Sequence, residues 1–292
     1  MNNLITINYV HFKGLLSSSN NKKLKYFVHA HDGFSKSFSL NDNEFAIISM
    51  TWSINTMNQF IYLIPHKDRI LLCLENNQDV EQAIKWNIPF ILCPMSVFIN
   101  TTIFNLQNSD KIYNAILNSR RVEFKRRHLA LDVEYPVAIV SDYKTVTYTK
   151  TYDNLEFPNG ILLNKFNDKI KTLESNEVAD VLHKSKVGLI LSESEGNPKA
   201  VMEYLLCGLP VVTTKIKRCG RMMFLNDSNC IIVEPTKEAV AEGVKIAIAK
   251  LESGEFNKLN ISDNAKKQLL ELRSNLQAAV SKFDPGFILQ FS

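Results

Sequence analysis

The sequence contains no apolar run of membrane length. Its longest apolar-dominated stretch, Pro89 to Ile99, falls well short of the ~20 residues that a bilayer-spanning helix needs. A transmembrane helical protein is excluded. Met1-Asn2-Asn3-Leu4 lacks a basic segment followed by an apolar core, so no secretory signal is expected. No CxxC pair is present. The five cysteines, Cys73, Cys93, Cys207, Cys219 and Cys230, are odd in number and sit in apolar runs. That pattern suits buried thiols in a reducing compartment and argues against a structural zinc site. Glycine is scarce early: of ten glycines only Gly14 and Gly33 precede residue 160. No repeat or low-complexity tract is visible.

What remains is an ordinary globular composition, 45% hydrophobic and 22% charged. At ~150 residues per domain, the length suggests two domains. The net charge is +4, from 34 basic and 30 acidic side chains, and its placement is uneven. Residues 1–110 carry 8 of each sign and residues 151–292 carry 18 of each; the excess lies in 111–150, with 8 basic against 4 acidic. Arg120, Arg121, Lys125, Arg126 and Arg127 crowd together there. A nucleic-acid binder spreads basic residues over a wide face, so nucleic acid is not expected as a partner. A compact cluster fits a small anion such as a diphosphate, or else the solvated first turn of a helix.

Short apolar runs alternate with helix-period segments. Residues 44–50, 69–75 and 89–93 read as strands, with a helix over 79–87. After residue 110 the order is strand 111–118, a helix near 124–132, strand 136–141, helix 176–185, strand 187–192, helix 198–206, strands 210–214 and 230–234, and helix 236–252. Residues 261–283 read as a final helix capped by Ser262 or Asp263, packing against the N-terminal domain. Alternating strands and helices imply parallel sheets covered on both faces. Ligands bind such sheets at the strands' carboxyl ends. The polar stretch near 100–110 marks a boundary, giving domains 1–108 and 109–292.

The most informative stretch is 187–214. A buried strand ends at Ser192, a loop carries Glu193 to Gly196, and Pro198 suits the first turn of a helix. Gly208 can end that helix in the left-handed conformation. The N–H groups of 197–199 at the helix start form an anion site, to which Lys199 adds charge. Glu195 and Glu203 are eight positions apart, about 12 Å along a helix. That exceeds the ~5–10 Å separating the paired carboxylates of a glycosidase, so the two glutamates serve different parts of one extended ligand, or are solvated helix carboxylates. Glu203 stands among Val201, Met202, Tyr204, Leu205 and Leu206, where a carboxylate needs a partner.

Glu195-Gly196, Glu203 and Gly208-Leu209-Pro210-Val211-Val212 resemble the EX7E and G-x-P-V-V signature of retaining GT-B glycosyltransferases of the family-4 type. Arg120, at the end of strand 111–118, and Lys125 five positions on are similar to that family's Arg and Lys landmark. Residues 226–241 resemble its closing strand and helix. The resemblance covers about 111–250. It implies an α/β, GT-B-like fold, with two Rossmann-type domains facing across a cleft and the N-terminal, acceptor-side one reduced. It also implies transfer of a sugar, with retention, from a nucleotide diphosphate-sugar to a glycan or lipid-linked glycan in cell-surface polysaccharide biosynthesis.

In that resemblance Arg120 and Lys125 bind the diphosphate and stabilise the leaving group. Glu195 lies near the transferred sugar and Glu203 holds the nucleotide ribose. Backbone at Gly196, Asn197, Pro198 and Lys199 contacts sugar or phosphate. The family needs no metal, in keeping with the lack of an Asp-x-Asp pair, and no cofactor is implied beyond the donor. The family's habits set the protein in the cytoplasm, or peripherally at the inner face of the membrane.

The domain over 1–108 is short for that family, and Lys13-Gly14 is its sole candidate for a glycine-rich loop. This motivates the alternative of a non-catalytic nucleotide-sugar binder or a subunit of a larger transferase. His29-Ala30-His31-Asp32 resembles half of a metal motif and motivates a second rival, a metal-dependent hydrolase; it equally suits a histidine touching the sugar donor. Cys219-Gly220-Arg221 replaces the Gly-Gly that the family carries after the G-x-P-V-V strand.

Overall fold

The computed structural model describes residues 16–18, 23–30, 39–50, 61–75, 77–140, 156–166, 169–215, 218–219, 223–283, 285, 287–289 and 291. They fall into two compact units, one built from residues up to Phe98 together with Gln268 onward, the other from Ile99–Lys267. His31, Asp32, Lys13, Gly14, Gly33, Gly220 and Arg221 lie outside the described residues.

In the first unit, strands β2 (Lys23–Ala30), β3 (Glu44–Met50), β4 (Ile70–Leu74) and β5 (Phe90–Leu92) form a parallel sheet in that order. Side chains alternate across a strand, and here both faces are covered. Ala46, Ile48, Ile70, Leu72 and Leu74 pack with Ala83 of helix α1 (Asn77–Trp86). Phe45, Ile47, Leu71 and Cys73 pack on the opposite face with Leu276 and Val280 of helix α5 (Lys258–Ser281). That explains why EFAIISM and ILLCL are nearly unbroken apolar runs. A short antiparallel pair, β1 (Leu16–Ser18) with β16 (Phe287–Leu289), adds Leu289 to the second cluster.

The second unit holds a six-stranded parallel sheet. Its strands are β6 (Tyr113–Asn118), β7 (Val137–Val140), β8 (Gly160–Leu162), β11 (Ser185–Ile190), β13 (Val211–Thr214) and β15 (Cys230–Val233). Their spatial order is β15-β13-β11-β6-β7-β8. From β6 the chain runs outward through β7 to β8 on one side, and β11, β13 and β15 run outward on the other. The reversal falls between β6 and β11, the switch point at which doubly wound sheets bind ligands. Two small pairs complete the unit, β9 (Lys165–Phe166) with β10 (Lys169–Ile170), and β12 (Ser194–Glu195) with β14 (Arg218–Cys219).

Helices α2 (Ser175–His183), α3 (Lys199–Leu206) and α4 (Lys237–Glu252) accompany this sheet. Gly188 and Val211 are register partners and share a face; Tyr204 of α3 lies against Gly188. Val212 points to the other face, where Gly243 of α4 meets it. So α3 and α4 cover opposite faces. Gly208 has φ +75°, as expected of a helix-ending glycine.

Two expectations are corrected. The helix near 124–132 does not form. Two 3-10 turns, Glu123–Lys125 and Arg127–Ala130, meet at Arg126, whose φ of 45° no right-handed helix can pass. The final helix starts at Lys258, not beside Ser262 or Asp263. The Asn257 side chain accepts the Asn260 N–H at 3.1 Å and caps it. Ser262 is buried inside the helix and donates to the Leu206 carbonyl at 2.7 Å. Cys73, Cys93, Cys207 and Cys230 are buried thiols, as the apolar setting of the cysteines suggested.

Candidate functional site

The carboxyl ends of β6 and β11 bring the segments around residues 120 and 195 together. Strand β6 ends at Asn118, and Ser119 and Arg120 follow at the switch point. The Arg120 side chain is half-buried and makes no hydrogen bond or ion pair among the described residues. The Ser119 hydroxyl is buried and has no hydrogen-bond partner among the described residues. A buried hydroxyl without a partner is rare in proteins. Nothing in the sequence marked Ser119.

Lys125 forms an ion pair with Glu195, and the two side chains are only 12% and 13% exposed. The Ser192 hydroxyl donates to Glu195 Oε1 at 3.0 Å. Between them the backbone is tied as well, since the Glu193 N–H donates to the Phe124 carbonyl at 2.8 Å. Glu195 lies on β12, paired in parallel with β14, Glu195 opposite Cys219. Strands of two residues carry no periodicity, so no sequence pattern announces this pair.

Of the five clustered cations, two turn into the protein. Arg126 donates from Nε to the Leu191 carbonyl at 2.8 Å, and from Nη2 to the Ser192 carbonyl at 3.1 Å and the Thr214 hydroxyl at 2.6 Å. Burial holds its pKa below the usual arginine value, with Glu193 opposing. Arg127 is buried over the Phe157 ring at 5.1 Å. The diphosphate-sized cluster read from composition is therefore narrower than five side chains.

Glu203 is buried on α3, and its partner is Lys199, one helical turn earlier, at 3.3 Å. Lys199 also lies over the Phe104 ring at 5.9 Å. Its amine is thus engaged with Glu203, whereas its place at the helix start had aimed it at an anion. Asn197 is buried, Gly196 and Pro198 half-buried. Pro198 has no N–H, and its carbonyl takes the Val201 N–H at 3.0 Å, so the amides left at this helix start are narrower than the span 197–199. Helix α3 is fixed to the sheet by Tyr204, which is fully buried. Its hydroxyl accepts the Asn118 N–H at 3.2 Å, and burial pushes its pKa well up.

Among the described residues no group of three or more His, Cys, Asp or Glu is arranged to hold a metal ion. His29 lies on β2, with His31 and Asp32 beyond the described residues. No described helix is long and apolar enough to cross a membrane.

Residues 164–268 match the family model described as glycosyl transferases group 1. The match contains Glu195, Glu203 and the G-x-P-V-V strand. Apart from its last residue it lies within the second unit. Among solved structures, HepE of Anabaena in complex with UDP superposes with a TM-score of 0.60 at 11% identity, covering 82% of this chain and 72% of that one. A glycosyltransferase from Rickettsia africae gives 0.56 at 14% identity, covering 83% and 71%. Sucrose-phosphate synthase of Thermosynechococcus elongatus gives 0.53 at 14%, covering 84% and 70%. No curated protein matches the sequence. At such identities the likeness concerns the fold, which is mixed α/β with parallel sheets, of the GT-B type. The family match covers residues 164–268, about a third of the chain, and the fold likeness most of it.

Proposed function

We propose that the protein transfers a sugar from a nucleotide diphosphate-sugar to a glycan or lipid-linked glycan, with retention of anomeric configuration and without a metal. The observation that carries this reading is the Lys125–Glu195 ion pair. Lys125 lies outside the stretch that matches the family, Glu195 inside it, and the fold joins them at the switch point. HepE, a fold neighbour, has been solved with UDP and with UDP-glucose, which supports a nucleotide-sugar donor.

The second unit takes the donor and the first serves the acceptor. Arg120 and Lys125 bind the diphosphate and offset the charge that grows on the leaving group in the transition state. Arg120 suits this because its guanidinium is not spent on any other described residue. Glu203 holds the ribose and Glu195 faces the transferred sugar. The backbone from Gly196 to Lys199 lines the sugar or phosphate. Transfer proceeds by front-side attack, the leaving phosphate oxygens helping to deprotonate the acceptor hydroxyl. The setting is polysaccharide biosynthesis in the cytoplasm or at the inner face of the membrane.

The test is a thermal shift with UDP, GDP, ADP and CMP on wild type, Lys125→Ala and Glu203→Ala. A ligand at ~100 times its Kd stabilises by about 2.7 kcal/mol. One nucleoside diphosphate is expected to raise the wild-type midpoint and to lose its effect in both variants. No shift at millimolar concentration would refute the donor site. A shift without turnover over a broad acceptor panel would favour the non-catalytic binder.

A further inference from the structure

We propose that Arg126 is a positioning residue, whose guanidinium clamps the carboxyl ends of two neighbouring strands and so holds Lys125 against Glu195. The inference rests on reading that pair as part of the donor site.

Two observations meet at this residue. The first is its backbone. Among the described residues only Asn87 and Arg126 have positive φ without being glycine, at 53° and 45°. Asparagine tolerates this region, because its short amide bonds locally. Arginine has no such aid, and a glycine would make the same turn without strain. The second is its side chain. It reaches the last carbonyls after β11, those of Leu191 and Ser192, and the hydroxyl of Thr214 at the end of β13. A left-handed residue held by three hydrogen bonds is a strained conformation over-determined by its surroundings, which is typical of functional sites.

The consequences reach both partners of the ion pair. Residue 126 follows Lys125 directly, so the turn that Arg126 imposes sets where the Lys125 stem departs. Leu191 and Ser192 precede Glu195 by a few positions, and the Ser192 hydroxyl bonds the Glu195 carboxylate. One guanidinium thereby fixes both segments to one sheet edge. The charge on Arg126 is turned toward carbonyl oxygens, which distinguishes it from Arg120, which makes no hydrogen bond or ion pair among the described residues.

The experiment is competitive acetylation of the folded full-length protein with acetic anhydride, read lysine by lysine by mass spectrometry. Lys111 and Lys186, each hydrogen-bonded within the second unit, serve as references. Arg126→Gly is expected to raise Lys125 labelling about fivefold, the scale of releasing one ion pair, with both references unchanged. Arg126→Lys restores part of the protection, because one donor can still reach a strand carbonyl. Thr214→Val, which removes the hydroxyl that Arg126 Nη2 reaches, gives an intermediate rise. Unchanged Lys125 labelling in Arg126→Gly overturns the proposal, as does a parallel rise at Lys111 and Lys186, which signals general loosening. If Arg126→Gly does not fold, Thr214→Val decides by the same readout. Repeating the wild-type labelling with UDP, GDP or ADP tests the donor reading separately: absence of protection at Lys125 counts against that reading and leaves the clamp result standing.

Discussion

The ring of Tyr204 occupies the space in which a β-carbon on Gly188 would sit: that carbon would fall 2.2 Å from Tyr204 Cδ2. Helix α3, which carries Lys199 and Glu203, can approach the sheet so closely because residue 188 has no side chain. Gly188→Ala forces the ring out and leaves the Asn118 N–H without its acceptor. The expected cost is ~1–3 kcal/mol of stability, read as a lower urea midpoint at unchanged slope. Tyr204→Leu in the same chain should recover part of the loss, because the two residues share one volume. Simple additivity of the two substitutions would contradict the contact.

Lys125 has one charge to give, and Glu195 holds it while no donor is bound. Glu195→Gln keeps the shape and removes the competitor. The nucleoside diphosphate that binds wild type should then bind about fivefold tighter, the upper range for one exposed or half-buried ion pair, while turnover falls. Isothermal titration measures the first and an acceptor assay the second. An unchanged Kd would mean that phosphate and carboxylate do not compete for this amine.

Ser119→Ala removes a hydroxyl that has no hydrogen-bond partner among the described residues. Stability should stay within ~0.5 kcal/mol of wild type. Nucleotide affinity should fall by about three- to tenfold if the hydroxyl meets the ligand, the scale of one neutral hydrogen bond. A fall in stability larger than 1 kcal/mol, on the order of a lost internal bond, would show that the hydroxyl serves the fold instead.

Lys111 donates to the His183 carbonyl at 2.6 Å, at the end of α2. Burial lowers its pKa from 10.5 to about 8, helped by the charge of Lys258 and opposed by Cys207. Between about pH 8 and 10.5 the unfolded chain holds a proton that the folded protein has released. Stability therefore rises with pH across that window and gains nothing from this group below it. Lys111→Met should flatten the rise, as seen in denaturation midpoints collected from pH 7 to 11.

The strands were readable because sheets covered on both faces demand apolar runs, and 44–50, 69–75 and 210–214 are such runs. Gly208 was readable because a left-handed helix end suits glycine. The EX7E spacing and the Arg120–Lys125 interval make the segments of the candidate site visible in the order of the residues alone. Other features depend on partners distant in sequence. Arg126 looks like one more surface cation until the carbonyls of Leu191 and Ser192 are beside it. Lys199 looks like an anion ligand until Glu203, a turn away, proves to be buried. Ser262 has the chemistry of an N-cap, and it does satisfy a helix end, but the end is that of α3. Strands as short as Ser194–Glu195 have too few residues to show any pattern at all.

Helix α5 also bears on the order in which the protein can be completed. The chain leaves the ribosome from its N-terminus, and domains ordinarily fold in that sequence. Yet the face of the first sheet formed by Phe45, Ile47, Leu71 and Cys73 is covered by Leu276, Val280 and Leu289. Residues 99–267 must be synthesised before those covers exist. The unit encoded first is thus the last to close, and until then the part of that face beyond what Cys93 and Val97 cover stays open to chaperones and to its own neighbours on the polysome.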